Sequence, residues 1–318
     1  MRTLDELNNF YDTVLYPELS ELEEHRIKAK NKIITAGCIV IPLAIIIMML
    51  LSKAGSGNGL VLVGIVAFFI MVGIYHFATR QYVKTFKTGV IEKLVKFIDK
   101  NLSYSRTNHI SQSAFSASKI FNHHVDRFRG DDYVKGKIGQ TAMEFSEIHA
   151  KYITRDSKGR SQEHTIFKGL FFIADFNKQF KGKTIVVPDT AEKLFGQLGT
   201  MLQSMNKFRG QLIKLEDPEF EKMFAVYGDD QIEARYILST SLMKRIVDFR
   251  KSSNKKIHIS FVGSKINIAV SYVKDLFEPR VFRTMLDFTP IKGYFQDLKM
   301  AVRIVDELNL NTRIWTKE

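Results

Sequence analysis

Two short acidic motifs, Gly130-Asp131-Asp132 and Gly228-Asp229-Asp230, have the residue types that hold a divalent cation or serve as an acid–base pair. Consecutive side chains of a strand point to opposite faces, so neither pair makes a chelating site alone. The first reads as a turn ahead of a strand at Tyr133. The second reads as the cap of a helix starting near Ile232, where a carboxylate favours the positive end of the helix dipole. Lys181-Gly182-Lys183-Thr184 ends like a phosphate-binding loop, but that pattern needs a glycine where Asn177 stands, and it should open a helix. Here it precedes a strand and reads as a β-turn.

His123 and His124 are adjacent, a poor geometry for two ligands of one metal, and no Cys or second His stands at ligand spacing. His149 and His164 lie about equally far from one turn and read as a cross-strand polar pair. Gly-x-Ser-x-Gly, His-Glu-x-x-His and a cysteine with a base are all missing. No catalytic residue is assigned, and neither a metal nor a cofactor is expected. The alternative is a membrane-tethered enzyme with an unrecognised carboxylate-containing site, one version of which has Glu147, Asp229 and Asp230 converging in the fold.

The elements that must position these residues follow from periodicity. Gln140 to Thr154 and Gln162 to Phe176, around the turn Asp156-Ser157-Lys158-Gly159-Arg160, form a long antiparallel hairpin. Ile185 to Val187, Met223 to Tyr227, Lys256 to Val262 and Lys265 to Tyr272 are further strands. A helix with Ile237, Leu238, Leu242, Ile246, Val247 and Phe249 separates two of them, and a final amphipathic helix runs from about Ile291 to Leu308. Ser103 to Ser118 reads as a polar linker anchored by Phe115.

All of this follows two uncharged apolar stretches, Ile33 to Ser52 and Leu60 to Thr79, joined by Lys53-Ala54-Gly55-Ser56-Gly57-Asn58-Gly59. Each has the ~20 residues that carry a helix across a bilayer core of ~30 Å. A signal peptide is excluded by the polar residues 1–32 ahead of the first stretch and by the lack of a cleavage pattern before the second. Arg26, Lys28, Lys30 and Lys32 enter the first stretch, and Arg80, Lys84 and Lys87 leave the second. Only Lys53 lies in the link. The positive-inside rule then puts both termini in the cytoplasm. Pro42 should bend the first span mildly, and His76 has no ionisable partner in either span. The single cysteine, Cys38, excludes an intrachain disulfide.

Ahead of the hairpin, Leu4, Leu7, Tyr11 and Val14, then Leu15, Leu19 and Leu22, give an amphipathic leader helix with Pro17 as a kink or restart. It would pack on its own domain or pair with a second copy. After the hairpin, Val83, Phe86, Val90, Leu94, Phe97 and Ile98 continue as a helical stalk. The part following the hairpin carries 41 basic and 27 acidic residues, a charge of +14. Such a surface held at a cytoplasmic leaflet is drawn to anionic headgroups. No zinc-finger spacing or RNA-binding aromatic motif accompanies the charge, and nucleic acid is not expected.

Several fragments, in this order, resemble one family. They are Phe10-Tyr11 with Leu15-Tyr16-Pro17 and Leu22-Glu23, the apolar hairpin, Asp132-Tyr133-Val134-Lys135-Gly136-Lys137-Ile138-Gly139, and Phe145-Ser146-Glu147. The turn at Asp156-Ser157-Lys158-Gly159-Arg160, Phe167-Lys168-Gly169-Leu170-Phe171, Phe180-Lys181-Gly182-Lys183-Thr184 and Phe224-Ala225-Val226-Tyr227 follow. Together they resemble the bacterial membrane proteins known as domain of unknown function 3137. The resemblance implies an inner-membrane protein with a large cytoplasmic domain. That family has no established activity, so it lends no catalytic residue.

The expected architecture is α+β: a leader over residues 1–32, a transmembrane hairpin over 33–79, a stalk over 80–102, and a cytoplasmic domain over 103–318 with an antiparallel sheet and segregated helices. The expected role is a membrane-anchored interaction or scaffold protein that meets a membrane-associated protein or the anionic lipid surface. A pore or transporter is disfavoured because the hairpin carries no intramembrane charge.

Overall fold

The structure, a computed structural model, describes residues 2–53, 55, 57–176, 178–189, 209–308 and 310. Ala54 and Ser56 of the link, and Asn177, lie outside the described residues. The chain divides into two compact units, residues 1–94 with 277–295 and residues 95–276 with 296–318. The first is helical and the second is built on an antiparallel sheet, the α+β class expected.

In the helical unit, Thr3 caps α1 (Leu4–Phe10). Its hydroxyl accepts from the Glu6 N–H, and the Glu6 carboxylate accepts from the Thr3 N–H. A π-turn (Tyr11–Leu15) joins α1 to α2 (Tyr16–Lys53), and the three form one 50-residue helix. The buried residues explain the turn. Leu7, Tyr11, Leu15 and Leu19 are spaced by four, and three steps of four drift about 120° around an α-helix. The extra residue of a π-turn takes back most of that drift, so one face stays buried. Pro17 is the second residue of α2, which resumes directly after the π-turn.

The return arm is α3 (Gly57–Phe86), a second π-turn (Lys87–Ile91) and α4 (Glu92–Ile98), together 42 residues. Both arms are long and apolar enough to cross a membrane, with 18-residue windows of mean hydropathy 2.8 and 2.5. Met71 packs over Gly37 and Met48 over Gly64, small-residue contacts that let the two helices approach.

Residues 277–287 close the base of this hairpin. They lack regular structure, so their carbonyls need donors from elsewhere. Side chains supply four of them. Tyr294 donates to Glu278 O at 2.6 Å, Tyr82 to Arg280 O at 3.3 Å, Arg26 Nη1 to Val281 O at 2.7 Å, and Tyr11 to Leu286 O at 2.6 Å. Phe86 meets Tyr294 edge-on at 5.5 Å, and Tyr11 meets Phe288 at 5.2 Å.

The second unit runs β1 (Ser103–Ser105), α5 (Gln112–Ala117), β2 (Arg127–Ile138), β3 (Thr141–Arg155), β4 (Ser161–Asp175), β5 (Lys183–Pro188) and β6 (Gln211–Ile213). Then come α6 (Pro218–Glu221), β7 (Phe224–Gly228), α7 (Gln231–Ile237), α8 (Thr240–Ser253), β8 (Ile257–Val262), β9 (Lys265–Ser271) and α9 (Phe288–Glu307), whose residues 288–295 count with the first unit. Among the described residues the sheet has the order β1-β2-β3-β4-β9-β8-β5-β7-β6, antiparallel throughout. Central strand β4 is buried from Leu170 to Ala174, which is why it reads as a continuous apolar run rather than an alternation.

The polar linker expected at 103–118 is instead structure. β1 pairs with β2, and Ser111 caps α5 by accepting from the Ala114 N–H. The Phe115 ring lies 5.0 Å from Phe171 and 5.4 Å from Phe121 in a core with Ile148 and Phe167. Serines used as cap and turn residues give this stretch its polar composition. β2 also starts at Arg127, earlier than the expected Tyr133, because the acidic motif lies inside it.

Candidate functional site

The β2–β3 hairpin turns at Gly139-Gln140, with Gly139 at φ +60°, a conformation glycine adopts without steric cost. Pairs run regularly from Ile138–Thr141 to Val134–Phe145. Continued unchanged, this register would set Asp132 opposite Glu147. A bulge between Asp131 and Val134 makes Asp131 the partner of Glu147 and places Asp132 beside it. The acidic pair, expected as a turn before the strand, is thus a bulge within it.

Asp132 adopts φ +54°, which a short polar side chain tolerates better than a branched one. Its N–H donates to Arg106 O at 3.2 Å, and the Tyr104 hydroxyl donates to its carboxylate. Gly130 lies against β3 so closely that a Cβ there would stand 2.4 Å from the Glu147 carbonyl oxygen. Asp131, Asp132 and Glu147 each present one carboxylate oxygen within 4.8 Å of the other two. Asp132 and Glu147 are buried and Asp131 is partly so.

Glu147 Oε2 accepts from the Leu276 N–H at 3.0 Å. Its Oε1 is buried with no hydrogen-bond partner. Burial raises this carboxyl to about 8; the Leu276 N–H works against the rise, while Asp131, Asp275 and Asp132 add to it. Burial would raise Asp275 as well, but Lys168, 2.8 Å away, holds it below the usual carboxylate range.

The version of the enzyme alternative in which Glu147, Asp229 and Asp230 converge is not what the fold builds. Glu147 lies on β3, whereas Asp229 and Asp230 follow β7, five places along the sheet, or ~24 Å at the usual strand spacing. Asp230 caps α7, accepting from the N–H groups of Ile232 at 2.7 Å and Glu233 at 3.1 Å, the role read from the sequence. Asp229 pairs with Lys183 at 3.3 Å. The N–H groups of Lys181, Gly182 and Lys183, which a phosphate-binding loop would aim at its ligand, are occupied by Glu233 and Asp229.

The histidine pairing is also corrected. On the turn side of a bulge between Ala150 and Lys151, His164 stands opposite Tyr152; beyond the bulge, His149 stands opposite Lys168. His164 and His123 stack on the two sides of Tyr152, at 4.9 and 4.3 Å. His149 instead meets Arg129 at 3.0 Å.

Of the seven basic residues flanking the apolar stretches, Lys28, Lys32, Arg80 and Lys84 are exposed and Lys30 is half-buried. Arg26 and Lys87 are buried in ion pairs, with Glu23 and Glu278 respectively, the latter at 2.6 Å. An open cavity of about 510 Å³ lies along Lys135, Lys137, Glu144, Asp175 and Lys265, where acids and bases are intermixed.

Residues 165–310 match the family described as "Protein of unknown function (DUF3137)". Over these residues, 146 of the chain's 318, the chain is similar to that family. The match runs from within β4 to the end of α9 and includes Asp275; Asp131, Asp132 and Glu147 lie before it. No curated protein matches the chain. Among solved structures, the mycobacterial trehalose monomycolate transport factor A, TtfA, is similar with a TM-score of 0.31 and 10% identity, covering 66% of this chain and 95% of that one. A likeness at that level carries no argument here.

Proposed function

We propose that this protein is a membrane-anchored interaction protein. Its two apolar arms cross the inner membrane as a hairpin, and both termini lie in the cytoplasm. The observation that supports this reading most is where the apolar surface lies. The most hydrophobic windows of the two arms are 6% and 0% buried, whereas a core helix of a water-soluble protein buries such a window. Ile39, Leu50, Leu62, Phe69 and Phe77 are among the exposed large side chains. Lys28, Lys32, Arg80 and Lys84, exposed on the two arms beyond their apolar parts, give the charge bias that orients such a hairpin. The basic residues after the hairpin then face anionic lipid and membrane-associated proteins at one leaflet.

Alkaline extraction of membranes, followed by protease treatment of sealed inverted vesicles, tests the anchor. The chain should stay in the pellet, and the regions before and after the hairpin should be cleaved from the cytoplasmic side. Release by alkali, or protection of either region, overturns the reading. A pull-down of the full chain from solubilised membranes tests the interaction role against a hairpin-only control. Recovery of nothing above that control removes it.

A further inference from the structure

We propose that Asp131, Asp132 and Glu147 form a binding site for a hard divalent cation such as Ca2+, Mn2+ or Mg2+, with the Asp275 carboxylate beside it. Two independent observations converge on this site. The first is geometric. The three carboxylates each offer an oxygen within 4.8 Å of the others, close enough for one cation with oxygen ligands at ~2.1–2.6 Å to touch all three. The second is an orphan. Glu147 is 5% exposed, and its Oε1 is buried with no hydrogen-bond partner although Oε2 is held by the Leu276 N–H. A buried carboxylate oxygen left in that state is costly unless something positive reaches it.

The sheet register strengthens the inference. Asp131 sits directly opposite Glu147, and like charges at facing positions weaken a strand pair. The bulge adds a third acid beside the facing pair, and the glycine at position 130 lets the strands come together, which gathers the three carboxylates at one place. Carboxylate oxygens without sulfur or imidazole select Ca2+, Mn2+ or Mg2+ over zinc and copper. The rival resolution is a proton shared between Glu147 and Asp275, which neutralises the cluster without a metal.

The test uses the full chain in detergent or nanodiscs, stripped with chelator and titrated with Mn2+ alone, the free ion being followed by electron paramagnetic resonance. The expected result is one saturable Mn2+ per chain, displaced by Ca2+. Glu147→Gln should weaken it at least ~10-fold, and Asp229→Asn, in a different part of the sheet, should not change it. If Glu147→Gln fails to fold by circular dichroism, Asp131→Asn, at the partly exposed member, is read in the same way. Absence of saturable binding at about 10⁻³ M, the weak end for such sites, overturns the proposal in favour of the shared proton. Equal affinity in parent and folded variant places any bound ion elsewhere and overturns it too.

Discussion

Replacing Arg26 with alanine separates two roles for a basic residue that precedes an apolar span. Its guanidinium donates to Glu23 through Nε at 2.9 Å and Nη2 at 2.7 Å, and to the Val281 carbonyl through Nη1 at 2.7 Å. The two charged side chains are 8% and 15% exposed, so solvent screens the pair little. Removing one partner of such a pair costs ~3–5 kcal/mol, because the other charge is left buried. Thr284 and the Met285 N–H still bond Glu23 in the variant, which favours the lower end, ~3 kcal/mol. The loss falls on residues 278–287, whose carbonyls depend on side-chain donors. Hydrogen exchange of the amides there should accelerate about 100-fold, the equivalent of ~3 kcal/mol. Arg26→Lys keeps the charge but cannot make the fork, so it should still exchange at least ~10 times faster than the parent. The double variant Arg26→Met with Glu23→Gln should recover most of the protection, since it leaves no unpaired charge. Unchanged exchange in Arg26→Ala, or complete rescue by lysine, refutes the structural role and leaves only a membrane-facing charge.

Other changes report on the sheet unit. Burial, then the charges of Arg209 and Lys256, lower His258 to about 4; the unfolded state, near 6.5, takes the proton first, so stability should fall as pH drops from 6.5 to 4, by at most ~3 kcal/mol. His258→Phe, which keeps the ring contact with Phe121 at 5.5 Å, should flatten that part of the pH profile in chemical denaturation, and an identical slope in parent and variant contradicts the assignment. Phe115→Ala should lower stability by ~3–5 kcal/mol, visible as a falling denaturation midpoint; a shift equivalent to under ~1 kcal/mol would mean that α5 is the linker its composition suggests. Asp230→Ala removes two capping bonds of α7 and should cost ~1 kcal/mol, and a neutral result in the same assay refutes the cap.

What the sequence made legible follows the range of the interactions involved. The apolar hairpin and the β3–β4 hairpin announce themselves locally, by uncharged length in one case and by a glycine turn between apolar runs in the other. The Asp230 cap is equally local. Strand β1 and helix α5 were hidden because Ser103, Ser105, Ser111 and Ser113 make their stretch read as linker, while its one large anchor, Phe115, packs on β4. The acidic cluster was half visible. Counting back from Gly139-Gln140 sets Glu147 against Asp132, but a bulge leaves no reliable mark in composition, and Asp275 arrives from the far side of the chain. His149 and His164 miss each other for a simpler reason: they stand seven and four residues from the turn at 156–160, and the bulge adds one place to that offset. Residues 277–287 gave no signal, because their order comes from Tyr11, Arg26 and Tyr82, 275, 255 and 198 positions before the carbonyls they bond.

That last segment has a consequence for how the protein is made. Lys87 emerges from the ribosome 191 residues before Glu278, its partner. At 5–20 residues per second this is a delay of about 10–40 s. During that interval Arg26 lacks its carbonyl acceptor, and the ring faces of Tyr11 and Phe86 that later meet Phe288 and Tyr294 stay uncovered. A nascent chain in this state presents a basic, aromatic-rich base to whatever stands beside it. A truncation before residue 277 would keep it there permanently, so residues 277–295 decide whether residues 1–94 are finished.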